Sequence, residues 1–178
     1  MKQVFFIIAS LFLTQTLWAQ SINTQASKVR FEVSNMGKTV EGTLLNVKGN
    51  VHLDEGNLGG SSFEATVDPK TINTGSKGRD KHLHKDDFFG VATFPVLKMA
   101  SKSITKTDKG YEAAATLTIR DVSMDVVIPF TAERKDNQLH MNGTLTVQRK
   151  DFQLGEKMGE GSIGLEVKVF IEVVVDEA

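Results

Sequence analysis

The side chains best suited to chemistry are concentrated in one polar segment, residues 71–95. His82 and His84 are followed there by Asp86 and Asp87, and imidazole and carboxylate groups are donors that zinc accepts. Two histidines spaced i, i+2 point to different faces of a helix and would align only on a strand. A metal-binding barrel that uses His82, His84 and Asp86 is therefore an alternative hypothesis, and no residue is assigned as a metal ligand.

A structural role is predicted for Arg79, Asp80 and His82 in the same segment. An arginine next to a carboxylate forms charge-assisted pairs, and a neutral histidine holds its neighbours through a ring hydrogen bond. We expect an Arg79–Asp80 pair and a hydrogen-bonded His82 to hold the segment against the rest of the domain.

Motifs for catalysis are missing from the sequence. The chain has no cysteine nucleophile and no G-x-S-x-G element. Gly155, Gly159 and Gly161 lack the lysine and the strand-to-helix context of a phosphate-binding loop. The sequence therefore predicts that the protein is not an enzyme.

Most of the chain alternates apolar and polar residues with period 2, which is typical of antiparallel strands with one buried face. The clearest series cover residues 29–33, 63–67, 111–119, 124–132, 139–147 and 163–175. Residues 40–53 predict one strand or two, because the alternation is interrupted at Leu44-Leu45. Gly42 and Gly49 are predicted to lie where a bent strand has no room for a side chain.

About eight strands with one apolar face each close most simply into a barrel, which leaves no free edge. The predicted fold is all-β, a single eight-stranded antiparallel barrel, and a two-sheet sandwich is the alternative. Residues 71–95 break the alternation and predict an insertion with a short helix around residues 79–85, before a strand at 96–100.

The chain begins like an exported protein. Residues 1–19 combine Lys2, an apolar run and a small-residue ending at Ala19, as in a cleavable secretory signal. The run is roughly half of the ~20 residues that span a bilayer. Residues 20–178 are therefore predicted to form one soluble domain without a membrane-spanning segment. Its predicted location is the periplasm, or outside the cell where no outer membrane exists, because a cysteine-free chain suits that compartment.

Charge excludes two classes of partner. Without Lys2, 20 basic side chains are balanced by 22 acidic ones, which gives no electrostatic footprint for nucleic acid. The same balance gives no polybasic patch for anionic lipid. The sequence leaves open whether two copies pair as a homodimer.

Several short elements resemble the hallmark of the YceI-like family of polyisoprenoid-binding proteins. They are TINT at 71–74, RDKHL at 79–83, DFF at 87–89, FP at 94–95, GTL at 42–44, LTIRDVS at 117–123 and Arg149-x-x-Phe152. Thr71 in place of serine and Asp121 in place of glycine are the departures. The resemblance covers residues 20–178.

The resemblance implies a lipocalin-like barrel that is periplasmic or secreted, is not an enzyme and uses no cofactor. Its expected ligand and partner is an amphiphile with a polyisoprenoid tail, such as an isoprenoid quinone or another long-chain lipid, held in the apolar interior. The inward positions expected to line this interior are Phe31, Val33, Phe63, Ala65, Val67, Phe89, Phe94, Leu97, Met99, Ala113, Ala115, Leu117, Ile128, Phe130, Met141, Leu145, Phe152, Leu165 and Val167.

Alternation alone favours a different interior. An eight-stranded barrel can be filled by its own side chains, and a structural or stress-related barrel without a ligand would have such a core. Small residues such as Ala65 and Ala113 and the flexible Met99 and Met141 favour an adaptable ligand surface instead.

Overall fold

The computed structural model describes residues 20–177. These residues form one sheet and one short α-helix. The strands are β1 Gln20–Ser21, β2 Lys28–Asn35, β3 Lys38–Leu44, β4 Lys48–His52, β5 Ser62–Val67, β6 Leu97–Thr107, β7 Gly110–Ile119, β8 Val122–Lys135, β9 Gln138–Gln148 and β10 Ile163–Asp176, and the helix is α1 Lys77–Leu83. The secretory signal predicted for residues 1–19 lies outside the described residues. Within residues 20–177, no helix is both long and apolar enough to cross a membrane.

The sheet is antiparallel throughout, in the order β1-β4-β5-β6-β7-β8-β9-β10-β2-β3. It curls into a half-barrel, and two isolated bridges tie distant parts together. Ile22 after β1 bridges to Val175 of β10, and Thr43 of β3 bridges to Asn73 after β5. The predicted all-β antiparallel class is confirmed.

The described residues contain ten strands rather than the predicted eight. Residues 45–47 separate β3 from β4, so that the segment 40–53 forms two strands. The two-residue strand β1 is too short to produce an alternating pattern in the sequence.

Helix α1 begins and ends two residues before the predicted segment 79–85. It follows a turn at Gly75, whose φ of 75° suits glycine. The chain then continues through further turns to β6, which begins at Leu97 and extends well past the predicted strand at 96–100.

The interior divides into two apolar clusters. One cluster, which we call the closed end, is packed around Ala113, Leu139 and Val175, each with 0% of its surface exposed. Tyr111 stacks on Phe130 there with ring centroids 5.3 Å apart. The second cluster lies towards the insertion, and we call it the open end.

Two glycines have the steric role that the sequence predicts. Gly42 lies opposite Phe31 in the β2–β3 pair, and a Cβ at Gly42 would overlap the Phe31 ring. Gly49 has a φ of 143°, and a Cβ there would overlap the backbone carbonyl oxygen of Glu64 on β5. Because a backbone atom cannot move aside as a side chain can, Gly49 is the stricter requirement.

We predict that Gly49→Ala lowers the free energy of unfolding by about 1–3 kcal/mol, because alanine disfavours this backbone conformation. Gly161→Ala is the matched control, because a Cβ there has no heavy atom within 4 Å; it should change stability by less than about 0.5 kcal/mol. Thermal unfolding measures both variants. An unchanged Tm for Gly49→Ala would contradict the close approach of β4 and β5.

Candidate ligand-binding cavity

The open end of the half-barrel encloses a cavity of about 590 Å³. This volume lies within the ~300–1,000 Å³ that is usual for small-molecule sites. One wall is formed by β2 and β10, where Phe31 lies opposite Val169 and Val33 opposite Val167. Both pairs lie on the inner face because the strands alternate.

The walls of the cavity are apolar and carry no side-chain carboxylate. The few polar lining side chains include Asn35, Thr74, Arg79, His82 and Ser162. A site of this composition attracts a ligand mainly by removing apolar surface from water.

Several inward side chains around the cavity are only partly covered by other protein atoms. Phe31, Val33 and Val167 are only half-buried although they point inwards, whereas Leu139 at the closed end is fully buried. The alternative hypothesis of an interior filled throughout by its own side chains is therefore wrong.

The structure brings ten of the predicted lining residues together around this cavity. They are Phe31, Val33, Ala65, Val67, Phe89, Leu97, Met99, Leu117, Leu145 and Val167. Their contact with a ligand stays a prediction.

Six predicted lining residues are core residues instead. They are Ala113, Ala115, Ile128, Phe130, Met141 and Phe152, with 0–8% of their surfaces exposed. Five of them lie on strands and point inwards as the alternation requires, whereas Phe152 lies in a helical turn after β9. All six pack against other side chains and not against the cavity.

The other three predicted lining residues are displaced for local reasons. Phe63 is partly buried between the two clusters. The guanidinium carbon of Arg120 lies over the ring of Phe94, 5.3 Å from the ring centroid. Leu165 lies where the pairing of β10 with β2 shifts register between Ile163 and Val167, so that it leaves the alternation of the cavity wall.

Sequence reasoning missed two kinds of lining residue. Val169 and Ile171 of β10 line the cavity and continue the alternation of Val167, so that signal was present in the sequence. Ile72 and Leu154 also line it, but they come from irregular segments that have no period.

The start of α1 is held by hydrogen bonds that converge on Thr74. Asp80 Oδ1 accepts from Thr74 N at 2.9 Å and from Thr74 Oγ1 at 2.6 Å. Arg79 donates through Nε to Thr74 Oγ1 and through Nη2 to the Thr74 carbonyl, both at 2.7 Å. The predicted direct Arg79–Asp80 pair is therefore replaced, within residues 20–177, by a network in which both side chains bind one threonine.

His82 is hydrogen-bonded as predicted, with Nε2 2.7 Å from Asp87 Oδ2, and its ring meets Phe88 edge-on at 5.0 Å. His84 points elsewhere, and its buried Nε2 has no hydrogen-bond partner within the described part of the chain. No group of three or more histidine or acidic side chains among residues 20–177 is arranged to hold a metal ion. The structure gives the metal hypothesis no support.

Arg149 fastens the segment that covers the open end. Only 3% of its surface is exposed, and its guanidinium donates five hydrogen bonds of 2.7–3.0 Å to backbone carbonyls. The acceptors are the carbonyls of Leu154, Gly155, Met158, Ile163 and Gly164. Burial lowers the pKa of Arg149 below its ordinary value, and nearby Glu160 partly opposes this effect.

We predict that Arg149→Lys lowers the free energy of unfolding by at least about 3 kcal/mol, because an ammonium group cannot reproduce a planar five-donor fork and leaves buried carbonyls unpaired. Arg30→Lys is the matched control. Arg30 lies half-exposed beside Glu172, and an exposed ion pair contributes only about 0–1 kcal/mol. Urea denaturation compares the two variants, and equal losses would contradict the role given to Arg149.

The fold and the cavity together define a class of protein: an antiparallel half-barrel, packed at one end, with an apolar internal cavity at the other. A sequence model of the YceI-like domain matches residues 20–175. The chain therefore belongs to the YceI-like family, as the resemblance in the sequence predicts.

Relatives and solved structures agree with this assignment. The chain is 29% identical over 156 residues to the UPF0312 protein of Ectopseudomonas mendocina, covering 83% of this chain and 82% of the relative. It superposes on Burkholderia cenocepacia BcnA with a TM-score of 0.81 at 22% identity, covering 86% of this chain and 98% of that one. A polyisoprenoid binding domain from Saccharophagus degradans gives a TM-score of 0.69 at 17% identity, with 90% and 99% covered. At these identities the two structures show the fold.

Proposed function

We propose that the protein binds an amphiphile with a polyisoprenoid-type tail, such as an isoprenoid quinone, and holds the tail inside the cavity. The observation that carries the proposal is the apolar cavity of about 590 Å³ at the open end. Burial of apolar surface contributes about 25 cal/mol per Å², so that a prenyl tail needs few polar contacts to bind. A mostly apolar tail with one polar head fits walls that carry polar groups only at a few places.

Two further features favour a flexible, branched apolar ligand. Met99 and Met158 line the cavity, and methionine side chains adapt to irregular apolar shapes. The solved Saccharophagus degradans domain of the same fold is described as a polyisoprenoid binding domain. That description supports the same class of ligand here.

Binding is proposed without catalysis. None of the side chains that line the cavity is a carboxylate, and the donors of Arg149 are taken by backbone carbonyls. His82, which also lines the cavity, has its Nε2 hydrogen-bonded to Asp87. A periplasmic carrier role follows from the secretory signal predicted for residues 1–19, because a prenyl tail outside the membrane needs an apolar cover in water.

We predict that Val167→Trp weakens binding of an isoprenoid quinone at least tenfold. Val167 lines the cavity opposite Val33, and an indole there occupies space that the tail needs. Val127→Trp is the matched control, because Val127 lies on β8 with 56% of its surface exposed. The rise in Tm with added quinone measures binding, since a ligand at 100 times its Kd contributes about 2.7 kcal/mol.

Wild-type protein and Val127→Trp should be stabilised equally, and Val167→Trp should be stabilised much less. Equal stabilisation of all three proteins would show that the quinone binds elsewhere. No stabilisation of the wild-type protein would contradict the proposed function itself.

A further inference from the structure

One end of the cavity is sealed by the closed end of the half-barrel. Val47 and Val173 line the cavity and also belong to the closed-end cluster. Beneath them, Val51 is 3% exposed and Leu139 and Val175 are 0% exposed. A ligand cannot pass this floor without unpacking the core.

Part of the opposite end is sealed by two segments that contact each other. Gly155 packs against Phe88 so closely that a Cβ at Gly155 would lie 2.8 Å from the ring, and Gly155 N donates to the Asp87 carbonyl at 2.7 Å. Arg149 binds the carbonyls on both sides of this contact. This part of the cover is fixed by packing and by hydrogen bonds.

The remaining opening is marked by residues that both line the cavity and are exposed. They are Met36 in the β2–β3 turn, Gly78 near the start of α1 and Ser162 before β10, and we call them the mouth. Lys98 also lines the cavity and is exposed, but it lies on β6 beside the buried Leu97, so that its side chain points to the outer face.

Gly78 is not explained by backbone conformation or by packing. Its φ lies outside the left-handed region, unlike that of Gly75 three residues earlier, and a Cβ at Gly78 would have no heavy atom within 4 Å. Gly78 is the second residue of α1 and lines the cavity. The missing side chain leaves open space at the mouth.

Met36 lies beside Ser162 at the mouth, and Met36 N donates to the Ser162 carbonyl at 3.0 Å. It is 78% exposed although apolar, and its φ of 49° is uncommon for a residue with a side chain. A flexible thioether in this position offers apolar contact to a ligand before the ligand is fully inside.

We propose that the tail enters and leaves the cavity through the mouth, and that Gly78 keeps this passage wide enough. The inference rests on the proposed function. The passage has a defined width, because Thr74 fixes the start of α1 through its bonds to Arg79 and Asp80. A bulky group at residue 78 should then slow uptake and release together, whereas a bulky group at the closed end should not.

The chain contains no cysteine, so that a single introduced thiol can be modified selectively. The test uses Gly78→Cys before and after reaction with fluorescein maleimide, and follows uptake and release of radiolabelled geranylgeraniol. We expect near wild-type rates before modification, and at least tenfold slower uptake and release afterwards. The matched control is Gly59→Cys, because Gly59 is exposed, leaves room for a Cβ, does not line the cavity and follows Leu58, which packs against the closed end.

Modified Gly59→Cys should retain wild-type rates. Wild-type rates in modified Gly78→Cys would overturn the mouth as the route while leaving the proposed function intact. Equal slowing of both modified variants would also overturn it, because the effect would not depend on the site. Failure of unmodified wild-type protein to take up geranylgeraniol would instead contradict the proposed function.

Discussion

The structure depends on how far apart the apolar inner faces of the sheet lie. At the closed end they meet, and Ala113, Leu139 and Val175 exclude water completely. Towards the open end β8 and β9 separate, since their pairing stops at Phe130 and Gly143 while β9 continues alongside β10. At this end the inward side chains of β2 and β10, such as Phe31 and Val167, are only half-buried and line the cavity.

The cover of the open end is held by polar contacts as well as by packing. Residues 154–164 are fastened by the five bonds of Arg149 to backbone carbonyls, and α1 is fastened by Thr74 through Arg79 and Asp80. Apolar packing, such as that of Gly155 against Phe88, holds the same cover. Leu83 and Leu154 belong to these two segments and line the cavity.

Alternation in the sequence predicted the strand class and the inward faces, but not which inward residues face the cavity. Phe31 and Phe130 both point inwards, yet Phe31 lines the cavity and Phe130 stacks on Tyr111. That difference depends on which side chains the fold places opposite each inward residue. The alternation of apolar and polar residues along one strand carries no information about this. The role of Arg149 was equally hidden, because all five of its acceptors are backbone carbonyls and any residue type supplies those.

The central claim is that the open end holds a prenyl lipid. Mass spectrometry of an organic extract, taken from protein exported with its own residues 1–19 and then purified, tests this claim most directly. The account predicts a co-purifying polyisoprenoid lipid at up to one molecule per chain. An extract without such a lipid, from protein that added isoprenoid quinone also fails to stabilise, would contradict it.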